Sequence, residues 1–307
     1  MKSDFLQSFK IGHYTDEIKK TGVTVILSEK GATGGVSIRG AAPATRETDL
    51  LDPQKTVDKV NAVVLSGGSA FGLEASSGVM EYLFEKGFGF NAGKYNVPIV
   101  CGASIYDLEF GSFGYPDKTA GYKAASSAEV GNFVTGQVGA GIGATCGKIL
   151  GMSHASRGGI GVKTAKMRGV EIAVIVVVNP LGDVVRGEEI LAGTKLMGKF
   201  IGSAKAISKV SGFKMQNTTI GCILTNAKLS KAQACQLADV AHDGFARAID
   251  PSHTIYDGDA MFTLASGEKS VDFIKLCAVI PRLTAEAIYS IYEGMKSPEE
   301  LFPEEEE

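Results

Sequence analysis

A threonine hydroxyl can attack the carbonyl carbon of the preceding residue through a five-membered ring, turning that amide into an ester that water then cleaves. The product begins with threonine, so one residue carries both a nucleophile and an amine. Asn217-Thr218-Thr219 has the residue types for such a step. It also matches the Asn-x-Ser/Thr glycosylation sequon, a match that matters only in a secreted chain. Asp257-Gly258-Asp259 sets two carboxylates two residues apart, just ahead of the apolar run Met261 to Ala265. If a strand began early enough, both would project from one face, where like charges favour protonation of one acid or a neutralising cation. The same residues also read as a polar turn before a strand, with Gly258 supplying an unusual dihedral.

Two glycine segments invite comparison with phosphate-binding loops. Leu65-Ser-Gly-Gly-Ser-Ala-Phe-Gly72 sits at a strand-to-helix turn, where a phosphate loop or a nucleophile elbow would lie. It lacks the Gly-Lys-Ser/Thr ending of the first, and Phe71 stands where the second needs glycine. A tight turn that packs helix on sheet is the simpler reading, and a nucleotide site is the alternative. Gly139-Ala-Gly-Ile-Gly-Ala-Thr-Cys-Gly147-Lys148 approaches the dinucleotide fingerprint with Ala144 in place of its last glycine, but no convincing strand precedes it. Lys148 taken alone reads as a surface lysine. Cys101, Cys146, Cys222, Cys235 and Cys277 form no Cys-x-x-Cys pair and read as free thiols. His13, His154, His242 and His253 are too scattered to suggest a metal centre.

Strands and helices must alternate to position these groups. Thr24 to Leu27, Val60 to Leu65, Val97 to Val100, Thr218 to Thr225 and Met261 to Ala265 read as strands, and the β-branched run Val170 to Val178 as a strand buried on both faces. Asn179 to Asp183 then reads as a hairpin turn. Ala70 to Lys86, Thr119 to Val130, a serine-capped Ser230 to Ile249, and Val271 to Met295 read as helices, the last kinked or broken at Pro281. The glycines between 136 and 161 predict turns. Residues 190–217 hold five lysines and no acid, the pattern of a flexible linker. The acidic tail from Pro298 is expected to fray.

The 307 residues are 44% apolar and carry a formal net charge of −3, which leaves no basic field for nucleic acid or an anionic membrane. The longest aliphatic run, Ile172 to Val178, is far short of a bilayer span, and Met1 to Asp16 carries charges where a signal peptide would be apolar. A cytoplasmic protein without nucleic-acid or membrane partners is expected.

In chain order, several segments together resemble one family. They are Gly31-Ala-Thr-Gly-Gly-Val-Ser-Ile-Arg-Gly40, Thr45-Arg-Glu-Thr-Asp-Leu-Leu51, Asn61-Ala-Val-Val-Leu-Ser-Gly-Gly-Ser-Ala-Phe-Gly-Leu73, Val97-Pro-Ile-Val100, Ile105-Tyr106-Asp107, Gly139-Ala-Gly141, Gly143-Ala-Thr145, Asn217-Thr-Thr-Ile-Gly221 and Thr254-Ile-Tyr-Asp-Gly-Asp259. The chain is similar to the self-processing L-aminopeptidase/D-amino-acid-esterase family, which includes β-aminopeptidases and nylon-oligomer hydrolases. The resemblance implies an α/β fold, a four-layer αββα sandwich like that of N-terminal nucleophile hydrolases. It implies a single domain over residues 1–307, cut once between Asn217 and Thr218 into fragments 1–217 and 218–307.

By the same resemblance, Thr218 is the nucleophile and Asp257 with Asp259 the acidic pair that orients and polarises it. Asn179 would support the oxyanion, Lys148 would be the active-site lysine, and Tyr106 would line the substrate pocket. The expected activity is hydrolysis of peptide, amino-acid ester or 6-aminohexanoate-oligomer bonds through an acyl-threonine, with no metal and no cofactor, in a homo-oligomer of four or more copies. A free α-amino group, with a reference pKa of about 8, or a water relayed by Asp257 would take the hydroxyl proton. An acyltransferase of the ornithine acetyltransferase type and an unprocessed nucleotide-binding protein are the other readings.

Overall fold

The computed structural model describes residues 5–209 and 216–293. Nine strands join in its main sheet. They include β1 Lys10–Asp16, β2 Thr21–Ile38, β3 Lys59–Ser66, β4 Val100–Ser104, β5 Gly159–Met167, β6 Val170–Val178, β7 Ile220–Ala227 and β8 Ala260–Lys269. Their order is β5-β6-β7-β8-β2-β3-β4, with Thr45–Arg46 beyond β4 and β1 paired to β2. The strands β7 and β8 run parallel, as do β3 and β4.

The eighteen-residue β2 is the hinge of this sheet. Val23 to Leu27 pairs with β3, Thr33 to Ile38 pairs with β8, and the register with β3 shifts between Leu27 and Ala32. The two halves of the sheet therefore face one another. Alternation along β6 shows it: Ile172, Val174, Val176 and Val178 pack with helices α3 (Lys231–Ala248) and α4 (Phe273–Tyr289). Ala173, Ile175 and Val177 point the other way, into a core shared with Ile26, Val63 and Leu65 of the opposite half. Beyond that half, Val23, Val25, Ala62 and Val64 pack on α1 (Ala75–Glu85) and α2 (Lys118–Ser126). Helices, half-sheet, half-sheet, helices make the four-layer αββα sandwich, and each fully buried Val or Ile in it contributes ~1.5–3 kcal/mol.

Several elements differ from expectation for local reasons. The helix expected over Ala70 to Lys86 opens as a 3-10 turn, Ser69–Glu74, because Gly72 packs on the Gly67 carbonyl so tightly that a Cβ would lie 1.8 Å from it. The strand expected at Val97 to Val100 is split: Val97 ends a short strand paired with Phe90–Asn91, and the main-sheet strand starts at Val100, since Pro98 has no N–H and the Asn61 side chain takes the Ile99 N–H at 3.0 Å. The helix beginning at Lys118 ends at Ser126, four residues short of Val130. Pro281 does not break α4; Gly244 of α3 lets the helices cross closely there, a Cβ on it standing 2.5 Å from the Pro281 carbonyl oxygen. Asn179 to Asp183 turns the chain without forming a hairpin, because Asp183–Arg186 pairs instead with Glu189–Ala192 and Ile249–Asp250.

The expected linker is anchored at Gly193, Thr194 and Ser203. Buried Asp183 accepts the N–H groups of Thr194 at 2.8 Å and Ser203 at 2.5 Å, and the Ser203 hydroxyl at 2.6 Å. Ser156 Oγ donates to Gly193 O at 2.6 Å. Residues 210–215 of that stretch, and the acidic tail, lie outside the described residues. No helix among the described residues is long and apolar enough to cross a membrane.

Candidate active site

Parallel pairing of β7 with β8 brings the two sequence triplets together. Ile220 is opposite Ala260, and the pairing extends back as an isolated bridge between Asn217 and Asp257. Asn217 N donates to Tyr256 O at 3.0 Å, Gly258 N to Asn217 O at 2.9 Å, and Ala260 N to Thr219 O at 3.2 Å. Asn217-Thr218-Thr219 thus lies alongside Asp257-Gly258-Asp259, ahead of both strands rather than on a strand face. All these residues except Gly258 carry buried side chains. The Thr218 hydroxyl contacts the Asn217 carbonyl oxygen. Gly258 leaves it room, since a Cβ there would stand 2.9 Å from Thr218 Oγ1.

The end of β6 closes the other side. Asn179 O accepts the Thr218 N–H at 3.0 Å and Lys148 Nζ at 3.1 Å. Lys148 Nζ also donates to Thr145 O at 3.1 Å and Asn179 Oδ1 at 2.9 Å, so all three of its hydrogens have acceptors. This lysine is only 1% exposed, which corrects the surface reading. Burial pulls its pKa down to about 7, opposed chiefly by the charge of Asp257. Asn179 Nδ2 donates to the Tyr106 backbone oxygen at 3.0 Å. The Tyr106 ring is partly exposed, and its hydroxyl donates to Glu109 at 2.9 Å.

The two acids have separate partners. Asp257 Oδ1 accepts Leu181 N at 3.2 Å, and Oδ2 accepts Thr254 N at 3.0 Å together with the Thr254 hydroxyl. Burial, then the neighbouring charge of Asp259, pushes Asp257 up to about 6. Asp259 Oδ1 accepts Thr219 N at 2.6 Å, and Oδ2 meets His253 Nδ1 at 2.7 Å.

Sequence reasoning assigned no role to His253, Thr254 or Asp107. Thr254 and Asp107 both lie in segments that carry the family resemblance, which is a usable signal; a lone histidine gives none. Asp107 explains the Gly67-Gly68 turn: its Oδ1 accepts Gly68 N at 2.6 Å and its Oδ2 accepts Thr21 Oγ1 at 2.8 Å. A carboxylate thus occupies the N–H that a phosphate would need, which favours the simple turn over a nucleotide site. Among the described residues no group of three or more His, Cys, Asp or Glu could hold a metal ion.

The four-layer sandwich has the fold of two solved aminopeptidases, one of them described as a variant of the N-terminal nucleophile hydrolase fold. It superposes with a TM-score of 0.69 on the L-aminopeptidase D-Ala-esterase/amidase of Ochrobactrum anthropi, at 15% identity over 92% of this chain and 83% of that one. A β-aminopeptidase from Burkholderia sp. matches with a TM-score of 0.66 at 17% identity, over 94% of this chain and 86% of its own. The family model for Peptidase family S58 matches residues 6–296, so the chain belongs to that family and is a hydrolase of amide bonds. An uncharacterised aminopeptidase of Mycobacterium leprae (strain TN) is 41% identical over 80% of this chain and 71% of its own length. The 6-aminohexanoate-oligomer endohydrolase of Paenarthrobacter ureafaciens is 32% identical over 85% of this chain and 73% of its own.

Proposed function

We propose that the chain cuts itself once, between Asn217 and Thr218, and then hydrolyses small peptide or ω-amino-acid oligomer amides through an acyl ester on Thr218. The observation that carries this reading is the pair of contacts on one oxygen: the Asn217 carbonyl takes the Gly258 N–H at 2.9 Å and touches the Thr218 hydroxyl. The N–H polarises the carbonyl. Thr218 Oγ adds to its carbon, the hydroxyl proton ends on the departing Thr218 nitrogen, and water hydrolyses the ester. Fragment 1–217 then ends in a carboxylate, and fragment 218–307 begins with a free amine and a hydroxyl. Both stay in one domain, because β7 and β8 lie inside the sheet between β6 and β2.

The new amine would sit on Asn179 O, the acceptor it shares with Lys148 Nζ. The site is buried, and burial disfavours a charged amine, so a group with a reference pKa of about 8 is pushed toward its neutral, proton-accepting form. It takes the Thr218 proton as Oγ attacks the substrate amide and returns it to the leaving amine; water then frees the acid. Asn179 Nδ2 has a second hydrogen, beyond the one given to Tyr106, for the oxyanion, and losing such a donor costs about 3 kcal/mol. Asp257 and Asp259 orient the nucleophile, and Tyr106 borders the substrate. The aminopeptidase and oligomer-hydrolase relatives support the amide substrate class. A homo-oligomer of four or more copies in the cytoplasm completes the reading.

Intact mass and N-terminal sequencing test it. The expected species are fragments 1–217 and 218–307, the second starting at Thr218. An active enzyme that remained a single 307-residue chain would overturn the proposal. Product analysis with a competing amine distinguishes hydrolysis from acyl transfer.

A further inference from the structure

Residues 253 and 254 clamp both site acids at once. Thr254 holds Asp257 through its N–H and hydroxyl, while His253 holds Asp259 through Nδ1 at 2.7 Å and its own N–H at 3.3 Å, both to Oδ2. The remaining Asp259 oxygen, Oδ1, accepts the Thr219 N–H at 2.6 Å. Asp259 is therefore a bridge, with the residue following the nucleophile at one end and an imidazole at the other.

Three observations set His253 apart from a space-filling side chain. Its φ is +53°, a left-handed conformation that a residue with a Cβ keeps only where its surroundings impose it. Its ring is wedged against α3, 4.9 Å from the His242 ring and 6.1 Å from the Phe245 ring, centre to centre. His242 is itself fixed by a 3.1 Å contact from Nε2 to Ser37 O. Finally, His253 Nε2 is buried without a hydrogen-bond partner, which leaves Nδ1 as the ring nitrogen that engages the carboxylate.

We propose that His253 is a positioning residue for the reaction at Thr218. By donating to Asp259 Oδ2 it fixes that carboxylate, the carboxylate fixes the Thr219 N–H, and the peptide so held sets the angle at which Thr218 Oγ meets the carbonyl it attacks. The proposal rests on Thr218 being the nucleophile. A nucleophile misplaced by about 1 Å can lose ~10²-fold in rate, so an effect of that size is available to a residue that never touches substrate.

Self-cleavage is the readout, because it needs no choice of substrate. His253→Gly and His253→Asn both accept a left-handed φ, and only asparagine keeps a short side-chain donor. In the full chain, His253→Gly is expected to lengthen the half-time for appearance of fragment 218–307 by roughly 10²-fold, and His253→Asn to recover most of that loss. On amide substrates, glycine should lower kcat and leave KM within twofold. In the Asp259→Asn background, His253→Gly should cause no further slowing, since its action runs through that carboxylate. The proposal is overturned if glycine cleaves at the parent rate, if asparagine is as slow as glycine, or if the two substitutions slow cleavage independently. A parent chain yielding no fragment that starts at Thr218 overturns the underlying reading instead, which keeps the two failures apart.

Discussion

The turn at Ser66 to Gly68 and the turn at Asp257 to Asp259 use the same parts: a glycine, its N–H group and a buried carboxylate. Burial pushes Asp107 at the first and Asp257 at the second up to about 6. Their surroundings differ. The Gly68 N–H goes to Asp107 itself, so that turn is closed on its own carboxylate. The Gly258 N–H goes instead to the Asn217 carbonyl, a peptide bond with a hydroxyl against it and a second acid nearby. A perturbed buried acid therefore does not by itself mark a reactive site. On the proposed reading, the mark is a donor left free for the bond that is cut.

Removing the hydroxyl should have the largest effect. Thr218→Ala is expected to abolish both the fragment starting at residue 218 and amide turnover, while the fold, and with it the Asp107 turn, is retained; mass spectrometry and circular dichroism check this. Any fragment cut at 217/218 in that variant would remove Thr218 from the chemistry. The carboxylates come next. Asp257→Asn should slow cleavage and turnover by about 10²-fold, whereas Asp107→Asn should leave both within a few-fold and act on stability. Equal kinetic losses in the two variants, measured by timed mass spectra and initial rates, would erase the distinction between the turns.

The chemistry proposed at Asn217-Thr218 can be read from sequence because it would span a single peptide bond. The partnership with Asp257-Gly258-Asp259 was visible only by resemblance, since it is created by the parallel register of two strands forty residues apart. The β6 strand was legible because a β-branched run covers both faces. Lys148 taken alone reads as a surface lysine, because its burial depends on the acceptors Thr145 O and Asn179 O, which only the fold supplies. The lysine-rich stretch looked like a linker for a similar reason: its anchor, Asp183, lies outside the window that holds the lysines. His253 left no trace at all, because a lone histidine acquires meaning only from the oxygen it faces.

The smallest effect concerns pH and stability, and its sign follows from burial. Asp107 titrates near 6 in the folded chain against an ordinary 3.8, so between those values the folded state holds a proton that the unfolded state has lost. Its contribution to stability is complete below about pH 4 and disappears as the pH rises through 6, leaving an ionised buried carboxylate that costs ~1–3 kcal/mol at neutral pH. Asp257 shifts in the same direction. Thr218→Ala chains are expected to stay in one piece and so suit the measurement. In that background the stability deficit of Asp107→Asn, read from urea midpoints, should be larger at pH 5 than at pH 7, because asparagine is spared the ionisation cost. Asp257→Asn should follow the same slope, so the two turns ought to agree in this property although they part company in rate. A deficit that grew with pH at Asp107 would mean that its charge stabilises the turn, and the likeness between the two acids would fail along with the burial argument behind it.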